Sequence, residues 1–298
     1  MLSKISTSRI LLQSRDQQLD ERVELHMDVT GSIDTKDPKE TNKEVRRIYE
    51  KLFGPTLFGR VEYTLEAIVE LFDGKYPGYQ KCDTPYHDLE HTLQAYLATV
   101  RIFDGMLRQN HATTTEEFVV IGLISALGHD TGFIKETWDN DGSGGKYTLI
   151  HVDRSKAFIG KCLPKLGFNP SQIQYVKNVI SCTGLTADLS RIPFTLEKER
   201  ETGYVLGSAD FLGQMSDPNY LAKLKKLYEE FSEGGATVYP SAQYLIKATP
   251  TFFENIVMKR LTEDFCSVYR FAANHFDGKD LYIDGIKKNI SQLKKGRL

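Results

Sequence analysis

The stretch Glu116-Glu-Phe-Val-Val-Ile-Gly-Leu-Ile-Ser-Ala-Leu-Gly-His-Asp130 decides the fold class. Phe118, Val119, Ile121, Leu123, Ile124, Ala126 and Leu127 make it a helix so apolar around its circumference that it belongs at the centre of the molecule. Gly132, just beyond, can stop it in a left-handed turn. Upstream, Asp83-Thr-Pro-Tyr86 reads as another helix start. Thr84 can cap, Pro85 suits the first helical position, and Asp88 and Glu90 favour the positive end of the dipole. That helix is expected to reach Arg108, with Leu93, Tyr96, Leu97, Val100 and Phe103 facing inward. Earlier still, Val45, Ile48, Tyr49, Leu52 and Phe53 follow helical spacing, as does Val61 to Phe72 until Gly74, Pro77 and Gly78.

Downstream, Glu136 to Thr148 contains Asp139-Asn-Asp-Gly-Ser-Gly-Gly145 and reads as a mobile loop, a candidate lid. Helical patterns resume at 152–166, 170–182, 203–213, 218–232, 241–247 and 251–276, with Pro164, Pro170, Pro193, Pro218, Pro240 and Pro250 between them or at their edges. Residues 1 to about 40 are polar and irregular, with one alternating run, Arg22 to Val29, that could form a short strand, and a loop from Thr30 to Thr41. The expectation is an all-α bundle: an N-terminal segment over 1–44 and one helical domain over 45–298.

Composition narrows the function. The 298 residues carry 38 basic and 40 acidic side chains, a formal charge of -2, which gives no strong nucleic-acid signal. No run approaches the roughly 18–20 apolar residues of a membrane helix. Cys82, Cys162, Cys182 and Cys266 are scattered and form no CxxC pair, the usage of small buried hydrophobes in a reducing compartment. The acid-poor start, Met1 to Arg15, faintly resembles a transit peptide but lacks a secretory apolar core. Cytoplasm is the default expectation.

Three local signals carry chemistry. Tyr86-His87-x3-His91 puts two imidazoles four residues apart, on one face if the segment is helical. His129-Asp130 closes the apolar helix, where an ionised carboxylate costs several kcal/mol to desolvate unless a cation accompanies it. No Lys or Arg lies between Gln109 and Ile134, so a metal ion is the obvious cation. Asp210 is a lone acid within Val205-Leu-Gly-Ser-Ala-Asp-Phe-Leu212. Asp217, before Pro218, has the simpler role of a helix cap. His91, His129, Asp130 and Asp210 thus form a set of nitrogen and oxygen donors suited to a divalent ion such as Fe, Mn, Ni, Co, Zn or Mg, one or two in number.

The order H…HD…D on successive helices resembles the HD superfamily of metal-dependent phosphohydrolases over roughly residues 80–220. The YHxxxH start, Ala209-Asp210 and Pro218 resemble the branch that contains the cyclic nucleotide phosphodiesterases. The resemblance implies that His91, His129, Asp130 and Asp210 hold metal, that Asp130 can bridge two ions, and that His87 protonates the leaving oxygen. It implies hydrolysis of a small-molecule phosphoester such as a nucleotide. Asp88 departs from the asparagine of that branch, and the additional histidine of HDxxHPG is absent. In the related HD-GYP pattern a lysine stands where this chain has Phe133, while His151 occupies the place of a later histidine that could meet a second ion or the phosphate. Two other classes share this ligand set: a di-iron oxygenase, and a non-catalytic regulatory domain that keeps its metal. Asp139, Asp141, Ser143 and Gly144 imitate the front of a calcium loop, but Ile150 stands where glutamate is needed. The basic tail of Lys287, Lys288, Lys294, Lys295 and Arg297 reads as a solvated helix end.

Overall fold

A computed structural model describes residues 26–111, 114–184 and 187–296. The stretch Met1 to Arg15, the first part of the Arg22 to Val29 run and Arg297 lie outside the described residues. What is described is all-α: Pro38–Phe53 (α1), Phe58–Phe72 (α2), Leu89–Arg108 (α3), Glu116–Gly128 (α4), His151–Cys162 (α5), Pro170–Ile180 (α6), Glu197–Ser216 (α7), Tyr220–Glu233 (α8), Ala242–Phe252 (α9), Phe271–His275 (α10) and Leu281–Lys294 (α11). Among the described residues the only β pairing is two isolated bridges, Met27 with Asp34 and Tyr79 with Glu136. None of the described helices is long and apolar enough to cross a membrane.

The axis of the bundle is α3. Every residue from Glu90 to Met106 is buried, because α1, α4, α7 and α10 surround it. The apolar α4 packs between α3 and α7 and is buried from Phe118 to Gly128, as its composition requires.

A helix buried on all sides must still accommodate its polar residues, and Arg101 is the extreme case at 1% exposure. Its guanidinium donates to Asp28 Oδ2 at 2.5 Å and Tyr282 Oη at 3.0 Å, which ties the irregular N-terminal segment and α11 to the axis. One turn further along, Asp104 meets His275 of α10 at 2.7 Å and Arg108 at 2.7 Å.

Several elements differ from expectation. The loop from Thr30 ends early, since Asp37 caps α1 by accepting from Lys39 N and Glu40 N, and Pro38 takes the first helical position. The helix therefore runs through residues 44 and 45. The helix expected from Thr84 begins at Leu89 instead, because Asp88 accepts from His91 N at 3.0 Å while Thr84 Oγ1 donates back to His87 O. Pro250 lies inside α9 rather than at an edge, and the chain beyond it widens into π turns at Phe253–Val257 and Arg260–Asp264. Left-handed Cys266 and Ser267 then break the segment expected to run on to 276.

The Arg101–Asp28 pair makes a stability prediction. Removing one member strands a buried charge, so Asp28→Ala should cost about 3–5 kcal/mol in urea denaturation. Burial alone would raise the pKa of Asp28, but Arg101 beside it holds it below the usual value of 3.8. Asp104 is likewise held down against burial by His275 and Arg108. Depressed carboxylates stabilise fully above their unfolded pKa, so stability should fall as pH drops below about 4, and more shallowly in Asp28→Asn.

Candidate metal centre

Four side chains from three helices converge at the buried end of α4. His91, in the first turn of α3, places Nε2 3.2 Å from Asp130 Oδ2 and 3.2 Å from Asp210 Oδ1. His129 Nε2 lies 3.4 Å from His91 Nε2, 3.1 Å from Asp130 Oδ2 and 3.8 Å from Asp210 Oδ1. Ligand atoms about 2.1 Å from a shared tetrahedral ion would stand about 3.4 Å from one another, close to these spacings. The donors that could hold an ion form two overlapping triads, His91–His129–Asp210 and His87–His91–Asp130.

Protonation states point the same way. His129 Nδ1 donates to Ala126 O at 2.7 Å, which commits that nitrogen to the backbone and leaves Nε2 as the atom turned toward the carboxylates. Asp130 Oδ2 is buried without a hydrogen-bond partner, and among the described residues no lysine or arginine pairs with Asp130 or Asp210. Burial by itself would lower the pKa of His91, but the Asp130 and Asp210 carboxylates hold it up to about 10. Burial opposes ionisation of Asp130 too, yet His129 and His87 keep its carboxyl well below the usual range. The pocket holds carboxylate charge and calls for a cation. His91, His129, Asp130 and Asp210 are the residues that would bind one.

The His129-Asp130 turn is clamped by α5. Ser155 Oγ accepts from Gly132 N at 2.8 Å and donates to His129 O at 2.5 Å, and Arg154 Nε donates to Gly132 O at 2.7 Å. Gly132 has no left-handed conformation, contrary to the sequence reading. It is needed for space, since a Cβ there would stand 1.9 Å from His151 O. The start of α5 is thereby pressed against the turn. His151, its first residue, donates from Nδ1 to Thr148 O at 2.6 Å and turns Nε2 to within 3.9 Å of Asp130 Oδ1.

His87 belongs to the bend before α3, not to the helix, yet its ring centre is 5.3 Å from that of His91. Its position comes from α8. The buried Glu230 bonds His87 Nδ1 through Oε1, while Oε2 accepts from Tyr86 N at 3.2 Å and His87 N at 3.3 Å. Burial works against a charged His87, but Glu230 and Asp130 together raise its pKa above the ordinary 6.5. Phe133 supports both outer histidines, with ring centres 4.5 Å from His87 and 4.5 Å from His151. Gln214 links Tyr86 Oη to Asp210 Oδ1. Sequence reasoning missed Glu230 and Gln214. Gln214, four residues after Asp210 on α7, had a local signal in that spacing; Glu230 had none.

The centre is asymmetric in access. The side chains of His91, His129 and Asp130 are 4% exposed or less, whereas His87, Asp210 and His151 are 13–18% exposed. Solvent thus reaches it from the His87–His151 side. The Glu136 to Thr148 stretch expected to be mobile is pinned. Asp139 is buried and bonded by Lys146 and Tyr147, Gly144 N donates to Asp83, and Ser143 is held by Glu233. With its carboxylate so engaged, Asp139 is no calcium ligand. Asp217 is structural, but not as the cap of the next helix, whose N-cap is Asn219: it ends α7 and takes bonds from Gln94, Asn219 N and Lys223.

A family model described as Npun_R2479-like matches residues 139–281, a stretch that contains His151, Asp210 and Glu230. No curated protein matches the chain.

Two measurements follow. Elemental analysis of purified wild-type protein should find first-row metal that is lost from Asp130→Ala. Ser155→Ala, which touches no ligand side chain but frees the His129-Asp130 turn, should weaken metal affinity about 10–100-fold in competition with a chelator.

Proposed function

We propose that the protein is a metal-dependent phosphohydrolase of the HD type, acting on a small-molecule phosphoester such as a nucleotide. The observation that carries the reading is His87. A purely structural metal site has no use for a partly exposed imidazole beside its ligands, anchored through Nδ1 to a buried carboxylate. Convergence of the H…HD…D set on one point supports the resemblance to the HD superfamily. Four free thiols, at Cys82, Cys162, Cys182 and Cys266, suit a reducing compartment such as the cytoplasm.

The division of labour follows from the geometry. A bound divalent ion supplies a Lewis acid for the phosphoryl oxygen and a water acidified toward neutral pH. His91, His129, Asp130 and Asp210 hold it, with three of the four walled off from solvent. His87 presents the proton that the departing alkoxide needs, and Nε2 is the atom that can give it because Nδ1 is committed to Glu230. Glu230 fixes the ring and favours its charged form. Asp88, where the phosphodiesterases carry asparagine, does the work of a helix cap, which either residue can do.

One observation favours a second reading. His151 Nε2 faces Asp130 Oδ1 while His91 and His129 crowd Asp130 Oδ2 and Asp210 Oδ1, so His151 and Asp130 could serve a second ion. A di-iron oxygenase would use such a pair, and would consume dioxygen with iron bound.

His87→Ala should retain its metal and lose about 10²–10⁴-fold in kcat on an alkyl phosphodiester, with a much smaller loss on bis(p-nitrophenyl) phosphate, whose leaving group needs no proton. Equal rates for wild type and variant on the alkyl ester would remove the acid from the mechanism. Metal-loaded wild type with no phosphoesterase activity on any nucleotide would remove the reaction itself.

A further inference from the structure

A second recess lies one face of α5 away from the metal centre. It has a volume of about 580 Å³ and is bounded by α5, α6 and the segment ending at Pro193. That volume falls within the range of about 300–1,000 Å³ in which small-molecule sites lie. Lys156, Lys177 and Arg191 bring positive charge from three different elements, against one carboxylate, Asp153, while Val152, Ile192 and Pro193 form an apolar side. Leu149, at its edge, is 71% exposed.

The two lysines reach across the α5–α6 groove from opposite walls. Lys156 Nζ, on α5, comes within 3.4 Å of Ser181 Oγ at the end of α6. Lys177, on α6, lays its ammonium over α5 at Gly160, where a Cβ would stand 2.8 Å from Nζ. Gly160 follows Lys156 by four residues and Ser181 follows Lys177 by four, so the two lysines cross the groove at levels about one helical turn apart. Lys177 makes no salt bridge with any described residue. Lys156 has only Asp153, at 2.7 Å, whose side chain is 80% exposed. Arg191 has only Asp188, at 3.1 Å, in a pair exposed on both sides. Exposed pairs of this kind contribute about 0–1 kcal/mol and exchange readily for a better anion.

Cations converging from separate elements with no buried counter-charge, next to an apolar wall, fit a molecule with phosphate at one end and a flat apolar group at the other. We propose that this groove binds a phosphorylated small molecule of nucleotide size. The proposal does not rest on the hydrolase reading, since none of the metal-binding residues lines the groove.

Calorimetric titration of the full chain with ATP, without added divalent ions, tests it. Wild type should bind saturably, more weakly as salt rises. Lys156→Ala and Lys177→Ala should each weaken binding about tenfold, the loss expected for one charge-assisted contact, and the double variant further. Lys226→Ala, an exposed lysine on α8, should change nothing. Dialysis against a chelator before the titration keeps nucleotide binding through the metal centre out of the measurement. Undiminished ATP binding by the Lys156→Ala/Lys177→Ala protein, or no saturable binding by wild type at millimolar ATP, would each overturn the proposal.

Discussion

The Asp130 carboxylate sits in a dry place between two imidazoles, and much of the architecture follows from that one constraint. Burying an ionised carboxylate costs several kcal/mol unless opposite charge lies against it. Among the described residues Asp130 has histidines on two sides and a third approaching, but no lysine or arginine. Protons on the imidazoles can neutralise it in part, and a divalent cation does so more completely because Asp210 and His91 already point at the same place. The pocket is better suited to a doubly charged ion than to anything else the chain supplies.

Keeping such a site requires a rigid frame, and the bundle supplies it at each ligand. His91 is fixed by the cap that Asp88 provides to α3. His129 and Asp130 are fixed by Ser155, Arg154 and the close approach that Gly132 permits. Asp210 is fixed through Gln214, which also holds Tyr86. The residues nearest solvent, His87 and His151, share Phe133 as a support, so the accessible side of the centre is held by packing. If the centre is catalytic as proposed, such preorganisation would serve it, since groups already in place need not reorganise during reaction.

Much of this was legible in the sequence, for reasons that differ between residues. His129-Asp130 stood out because two polar side chains at the end of an apolar helix have no cheap explanation. The helices of the core were legible because their apolar spacing is strong, and α4 most of all. The start of α3 was misread because Thr84-Pro85 imitates a cap, and only the fold shows that Asp88 is better placed to accept from His91 N. Glu230 was invisible: it lies 143 residues from His87, at the edge of the apolar face of α8, and nothing local distinguishes it from a solvated glutamate. The Asp139 to Gly145 stretch was misjudged for a related reason. Its composition is that of a free loop, but Lys146 and Tyr147 just beyond it hold Asp139, and Glu233 and Asp83 hold Ser143 and Gly144 from across the fold.

The most direct test of the central claim is anomalous diffraction from crystals of the metal-loaded protein, recorded across the absorption edge of the bound metal. The account predicts a peak within bonding distance, about 2.0–2.2 Å, of His91 Nε2, His129 Nε2, Asp130 and Asp210. A peak held by other residues, or none in crystals whose protein still carries its metal, would contradict it.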